Sequence, residues 1–264
     1  MKRSLMGKQP LIEVFEEITS SREWTPPPGC ISVDAFVVGG GDDGVTGDHL
    51  YAGPGGNAGE CLTYENIEVD NGPIMIVVVA KGSDSYFKSN SYIAKGGLGK
   101  TGASRPNYQA GYYAEGIDGK DGVFPFNNKF PNRFTKRYGA SGASGAEEIN
   151  AIINGHGSQG QIVKGGNGGD FGGGNGGDIV LSTSSMIGGA GGDASYYGAG
   201  GGGSGKRSGT YGSSLSAVYQ EARAIRVSLS CIIGNTNYKK VRYDNNNQIK
   251  QIRPADDVGD RLLR

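Results

Sequence analysis

The chain has 264 residues, enough for one large domain or two small ones and for a real core. Fifty are glycine, roughly a fifth of the chain against a usual share of about 7%, and only one is Trp, so much of the chain must be held by something other than packed side chains. Twenty-six basic residues balance 26 acidic ones, which leaves no net field to draw the chain to nucleic acid or to an anionic membrane.

The N-terminus, MKRSLMGKQPLIEVFEEI, is broken by Pro10 and by acids before an apolar stretch of signal-peptide length, and no later segment is long enough to span a membrane. A soluble chain made and kept in a cytosol, or assembled there, is expected. WTPPPG then enforces an extended entry through Pro26 to Pro28. Ile31 to Val38 (ISVDAFVV) is rich in β-branched residues and predicts a strand ended by Gly39 to Gly41. CLTYENIEV and PIMIVVVA flank Asp70-Asn71-Gly72, the pattern of a hairpin. PIMIVVVA is apolar on both faces and predicts a central strand covered on both sides.

Residues 103 to 138 hold eight aromatic and six Lys or Arg side chains, as a folded insertion with its own small core or an exposed contact loop. From Gly139 to Gly212 more than a third of the residues are glycine, in clusters such as GGNGGDFGGGNGGD. Each Gly costs roughly 0.5 to 1 kcal/mol against Ala in regular structure, so neither helix nor ordinary sheet suits this density. Either the segment is a flexible linker, or its backbones pack together as polyproline-II-like runs. Interleaved Ile162, Val163, Ile179, Val180, Leu181, Met186 and Ile187 favour packing. Further on, AIRVSLSCII alternates as a half-buried strand, and YKKVRYDNNNQIKQIRP predicts a hairpin around Asp244 to Asn247.

Motifs for chemistry are few. KGGLGKTG, Lys95 to Gly102, is written like a phosphate loop, but Gly102, Pro106 and Gly111 leave no room for the helix whose amides would hold the phosphate. GGNGGDIVL, Gly173 to Leu181, fits one calcium-binding β-roll repeat. Its neighbours at Gly165 and Gly188 break the nine-residue period, so Asp170, Asp178 and Asp193 are expected at turns and cluster ends. Cys30, Cys61 and Cys231 have no metal-ligand spacing, and their odd number argues against a disulfide framework. His49 and His156 have no visible catalytic partner, and Asp42-Asp43 and Glu147-Glu148 are adjacent pairs that point apart on a strand. No enzyme, cofactor or metal site is expected.

The order of Trp24, a Pro-Gly turn, a strand and a glycine run in REWTPPPGCISVDAFVVGGGDDG resembles the opening of the glycine-rich domain of bacteriophage tail-fibre and related appendage proteins. GGNAGECLTYENIEV, NGPIMIVVVAKG, SDSYFKSNSYIAKGG and DASYYGAGGGGSG resemble its later parts. The resemblance spans roughly Ser20 to Gly212. Asp42 and Asp43, which break the first run, and the segment from about Ser213 depart from it.

It implies an all-β fold: a β-sandwich-like base with glycine-rich loops that pack as polyproline-II helices. The corresponding division is an N-terminal extension 1–22, serving as assembly contact or strand, a glycine-rich domain 23–212 with an insertion at 103–138, and a C-terminal β segment with a charged tail at 213–264. It also implies a virion protein, with a homo-oligomer (a trimer favoured) and other virion proteins as partners, and neither nucleic acid nor membrane insertion. A host-surface glycan or outer-membrane protein would meet aromatic contacts at Tyr108, Tyr112, Tyr113, Phe124, Phe126, Tyr196, Tyr197 and Tyr211. The alternatives are a purely structural head or tail decoration, or an exported calcium-binding β-roll protein.

Overall fold

A computed structural model describes residues 12–48, 51–78, 82–107, 112–148, 151–152, 155–182, 187–206, 227–233, 238–243 and 249–254. The fold is all-β, and its one helical turn among these residues is a 3-10 turn at Pro125–Asn128. Seven strands come first: β1 (Ile12–Ile18), β2 (Arg22–Trp24), β3 (Cys30–Val38), β4 (Cys61–Glu68), β5 (Ile74–Val77), β6 (Ser85–Phe87) and β7 (Ile93–Ala94). Five two-residue strands follow, β8 (Tyr113–Ala114), β9 (Glu147–Glu148), β10 (Ile162–Val163), β11 (Ile179–Val180) and β12 (Ile187–Gly188). The last are β13 (Val227–Ile233), β14 (Tyr238–Tyr243) and β15 (Ile249–Pro254).

Two four-stranded sheets form the base, one in the order β1-β13-β3-β4 and one in the order β2-β5-β6-β7. Alternate residues Val33, Ala35 and Val37 of β3 and Ile67 of β4 share a core with Trp24, Ile76 and Phe87 of the other sheet. The Trp24 and Phe87 rings meet edge to face at 6.0 Å, and the Trp24 indole Nε1 donates to Glu16 Oε2 at 2.7 Å. The N-terminal extension thus contributes strand β1. The C-terminal segment contributes β13 between β1 and β3, and the expected hairpin forms as β14 against β15.

Two expectations fail here for one reason. Asn71-Gly72 does not close a hairpin, because β4 pairs with β3 while β5 pairs with β2 and β6, so the connection crosses from one sheet to the other. The doubly covered strand is β3, buried on both faces from Val33 to Val38, whereas β5 exposes Met75. Which strand gains a second cover is decided by what else the chain lays on the sheet. That cover is the segment 123–138, whose Phe126 and Tyr138 pack with Phe36 and Val38 on the far face of β3. Of the cysteines, Cys61 is a free thiol pushed up to about 12 by burial, with Lys100 opposing, while Cys30 is disulfide-bonded, against the expectation drawn from their odd number.

From the open end of the base the chain runs out and back as extended glycine runs packed side by side. Their key is a period of three. Gly41, Gly44 and Gly47 press on the carbonyls of Ala199, Gly202 and Gly205, so these two runs are parallel. Gly53, Gly56 and Gly59 press on Val45, Asp42 and Gly39 in antiparallel order. A Cβ at any of these glycines would lie under 3.0 Å from a neighbour's backbone oxygen, so only glycine permits the approach. The runs 39–48, 51–60, 94–103, 115–122, 139–148, 164–170, 172–178, 188–194 and 198–206 form one lattice in this way.

The run 139–148 lies inside it, ringed by six others. Its sequence repeats Gly-Ala-Ser, and each position has one task. Gly142 and Gly145 abut Gly201 and Ser204 of the run 198–206. Ser141 and Ser144 accept from the amides of Lys120 and Ile117 through Oγ, both at 2.8 Å, and from Gly169 and Gly166 through their carbonyls. Ala140 packs against Ala194 and Ala199. The runs 51–60, 94–103 and 172–178 close the ring through Gly145 N to Gly53 O, Ala103 N to Gly142 O and Ala143 N to Gly174 O. The surround is sixfold and repeats every three residues along the run.

At the margin, side chains replace missing neighbours. On the outer run 164–170, the amides of Asn167 and Asp170 donate to Asp118 and Asp121, and those of Gly168 and Gly165 donate to Asn175 and Asp178, at 2.7 to 2.9 Å. The remaining amides of Gly166 and Gly169 reach the serine carbonyls. Short Asp and Asn side chains thus satisfy edge donors that would otherwise recruit another strand.

Candidate interaction face at the far end of the lattice

The runs 39–48, 94–103, 139–148, 172–178 and 198–206 lead away from the base, and 51–60, 115–122, 164–170 and 188–194 lead back. Five outbound runs therefore end at the far end, at Asp48, Ala103, Glu148, Asp178 and Lys206. Short strands brace it, with β8 paired to β9 and β10, β11 and β12 forming a three-stranded antiparallel sheet. That sheet buries Val163 and Ile179 with Leu181 and Ala146, and leaves Ile162 and Val180, direct cross-strand partners, exposed.

The predicted contact residues divide between the two ends. Tyr112 and Tyr113 are at the far end, half-buried against Val163, Ile179 and Leu181, with Tyr112 stacked on the exposed His156 ring at 4.1 Å. Phe126 is a correction: it is 1% exposed in the core beneath β3, so it packs and cannot touch a receptor. Tyr196 and Tyr197 belong to the same base-side cluster, half-buried beside Tyr138. Phe124 also sits at the base end, under the Arg137 guanidinium at 4.8 Å. Within the segment 103–138, Gly116, Gly119 and Gly122 weave the middle into the lattice, and Phe126, Phe130, Phe134 and Tyr138 cluster with Phe36 and Val38. Tyr108 and Tyr211 lie outside the described residues.

Residue spacing concealed several far-end features. Arg105 lies over the Tyr51 ring at 3.8 Å, although the two are far apart in sequence. Glu147 and Glu148, expected as an adjacent pair pointing apart on a strand, are each 1% exposed, and Lys206 is 4% exposed. The Lys206 ammonium donates to the Glu148 carbonyl, and Glu148 Oε2 accepts from Ala151 N at 2.9 Å. Glu147 Oε2 and Glu148 Oε1 have no hydrogen-bond partner. Burial holds the Glu147 carboxyl above the ordinary range, against the Ala52 amide, Lys206 and Arg105, and burial also pushes the Lys206 ammonium down. A carboxyl whose folded value is raised adds stability in acid that is lost as pH rises through that value. The far end is therefore expected to melt higher in mild acid than at neutral pH in the part owed to Glu147, and Glu147→Gln should remove that part in a pH series of thermal melts.

Neither sequence motif builds an ion or nucleotide site. The amides of Gly97, Gly99 and Gly102 donate to Gly40 O, Ala58 O and Asn57 Oδ1, and Gly99 and Gly102 abut the carbonyls of Gly59 and Gly55. No amide of these three is free for a phosphate. The Lys100 ammonium donates to the Asp121 carbonyl. Asp178 stands at the end of its glycine cluster, as expected, and caps an edge there: its carboxylate takes Gly165 N and Lys164 Nζ, and these two outweigh the effect of burial to hold it below the usual range. Among the described residues no three His, Cys, Asp or Glu side chains cluster as metal ligands, and no helix is long and apolar enough to cross a membrane. No known protein family matches the chain, and no curated protein matches it.

Proposed function

We propose that this protein is a structural component of a bacteriophage virion, part of a tail fibre or similar appendage, which holds the far-end connections out to a host surface. One observation carries the reading: a lattice whose glycines admit no side chain at their contacts spans the distance between a base of two four-stranded sheets and a cluster of loop ends. Such a lattice is rigid because each run is bonded to several others, and it has almost no side chains to spend on chemistry. Recognition then falls to what projects from its far end, where Tyr51 with Arg105, Tyr112 with His156, and the Ile162–Val180 pair stand. Rigid aromatic and Arg groups give contact area at low entropy cost. Assembly as a homo-oligomer with other virion proteins belongs to the same proposal.

The test is adsorption of particles carrying Tyr51→Ala with Tyr112→Ala, and separately Ile162→Ser with Val180→Ser. A fall in adsorption rate of tenfold or more, with the melting temperature of the purified chain kept, is the expected result. Unchanged adsorption with both sets altered, or imaging that places the chain clamped among other virion proteins, would leave a purely structural decoration.

A further inference from the structure

Asn followed by Gly carries a chemistry of its own. The amide nitrogen of the Gly can close on the Asn side-chain carbon, and Gly has no Cβ to obstruct the approach. The chain has four such pairs, at Asn71, Asn154, Asn167 and Asn175, of which Asn154 lies outside the described residues. At Asn167 and Asn175 the lattice holds the reaction off. Gly168 N donates to Asn175 Oδ1 and Gly176 N donates to Gly166 O, both at 2.8 Å, so both nucleophilic amides are engaged elsewhere. The backbone is fixed there as well. A Cβ on Gly168 or Gly176 would lie under 3.0 Å from the carbonyl oxygen of Gly173 or Ser144, and so close a fit leaves no room for the backbone rotation that closing the ring requires.

Asn71 stands outside the lattice, in the connection that crosses from β4 to β5. It is exposed, and the space beside Gly72 is open, with Asp70 Oδ1 at 3.4 Å the nearest atom to a Cβ built there. The Gly72 amide donates to that same Asp70 Oδ1 at 3.3 Å, beyond the usual span of such a bond. The acceptor is also a base, placed on the proton that must leave. We propose that Asn71 is a site of spontaneous deamidation, and that the lattice protects Asn167 and Asn175 from the same reaction. Gly72 N passes its proton to Asp70 and forms a bond to Asn71 Cγ; the Cγ–Nδ2 bond breaks, and ammonia leaves with that proton. Water then opens the cyclic imide at either carbonyl, which leaves aspartate or isoaspartate. Water enters and ammonia departs, with nothing oxidised or reduced. The product places a second carboxylate beside Asp70 at the base, where open space accommodates the longer backbone of isoaspartate. The inference goes beyond the proposed function and does not depend on it.

The purified full chain would be aged in mildly alkaline buffer at physiological temperature and mapped by peptide mass spectrometry. Product at Asn71 is expected at least about tenfold faster than at Asn167 or Asn175, because the lattice sites react only through local opening. In a denatured sample of the same chain the three should react at similar rates. Gly72→Ala, whose Cβ hinders the approach, should slow the Asn71 reaction severalfold with the melting temperature kept. Asp70→Ala should also slow it in the native chain, and a native rate unchanged or raised in that variant would remove Asp70 as the base. Asn71 left intact in the native chain while the denatured chain reacts there would overturn the proposal. So would conversion of Asn167 or Asn175 as fast as Asn71 in a chain whose melting curve is unchanged.

Discussion

Gly142→Ala is expected to abolish the cooperative melting of the lattice, with a loss of at least about 3 kcal/mol, the upper part of the range for overpacked cores. Its Cβ would lie 1.9 Å from the Gly201 carbonyl oxygen and 2.6 Å from the Gly201 carbon, and backbone cannot turn aside as a side chain can. Nor can the run shift as a whole. It is bonded on the other sides to the runs around Gly53, Ala103, Ile117, Gly166 and Gly174, so a displacement that relieves one contact stretches hydrogen bonds on the opposite side. Against a typical total of about 5 to 15 kcal/mol, such a loss is visible in both melting temperature and denaturant midpoint. Gly72→Ala is the control: its nearest neighbour is Asp70 Oδ1 at 3.4 Å, and a change within about 0.5 kcal/mol is expected. Equal effects from the two would show that glycine is not needed for close approach.

Phe126→Ala is expected to cost about 3 to 5 kcal/mol, the usual range for removing a buried Phe. The ring is 1% exposed and meets Phe36, Phe130 and Phe134 at 6.0, 5.7 and 5.4 Å, so its removal leaves a void between the sheet and the segment that covers it. Because β3 feeds the run 39–48 directly, loosening this cover should also loosen the root of the lattice. Hydrogen exchange should quicken first in β3 and the segment 123–138, before the far end responds. Adsorption by particles carrying Phe126→Ala should fall only as folded protein is lost. A full-strength fold with lost adsorption would return Phe126 to the contact residues.

The lattice was more legible in the sequence than the site. KGGLGKTG has Gly96, Gly99 and Gly102 at steps of three, as do GIDGKDG at Gly116, Gly119 and Gly122 and GASGASG at Gly139, Gly142 and Gly145. Spacing of this kind is the mark of backbones that meet at every third residue, and it turns the phosphate-loop look-alike into one more lattice run. Glycine density drew attention to the segment from Gly139 onward and left the earlier runs unread, although 39–48 holds five glycines in ten residues and 139–148 only three. Aromatic content was a poor guide to contact. Tyr112, Phe126 and Tyr196 are alike in sequence, yet one braces the far end, one fills the core and one lies beside Tyr138.

By itself, then, the sequence determined the all-β class, the strands at either end and the presence of a glycine-built middle, because β-branched runs and missing Cβ atoms act locally. Only the tertiary structure decided which strand is covered twice, which glycine faces which neighbour, that Asp118, Asp121, Asn175 and Asp178 close an edge, and that Glu147 and Lys206 are buried together. Those outcomes depend on the direction in which each run travels. A three-residue repeat looks the same outbound and returning, so the sequence fixes the spacing of contacts and leaves to packing the choice of partner.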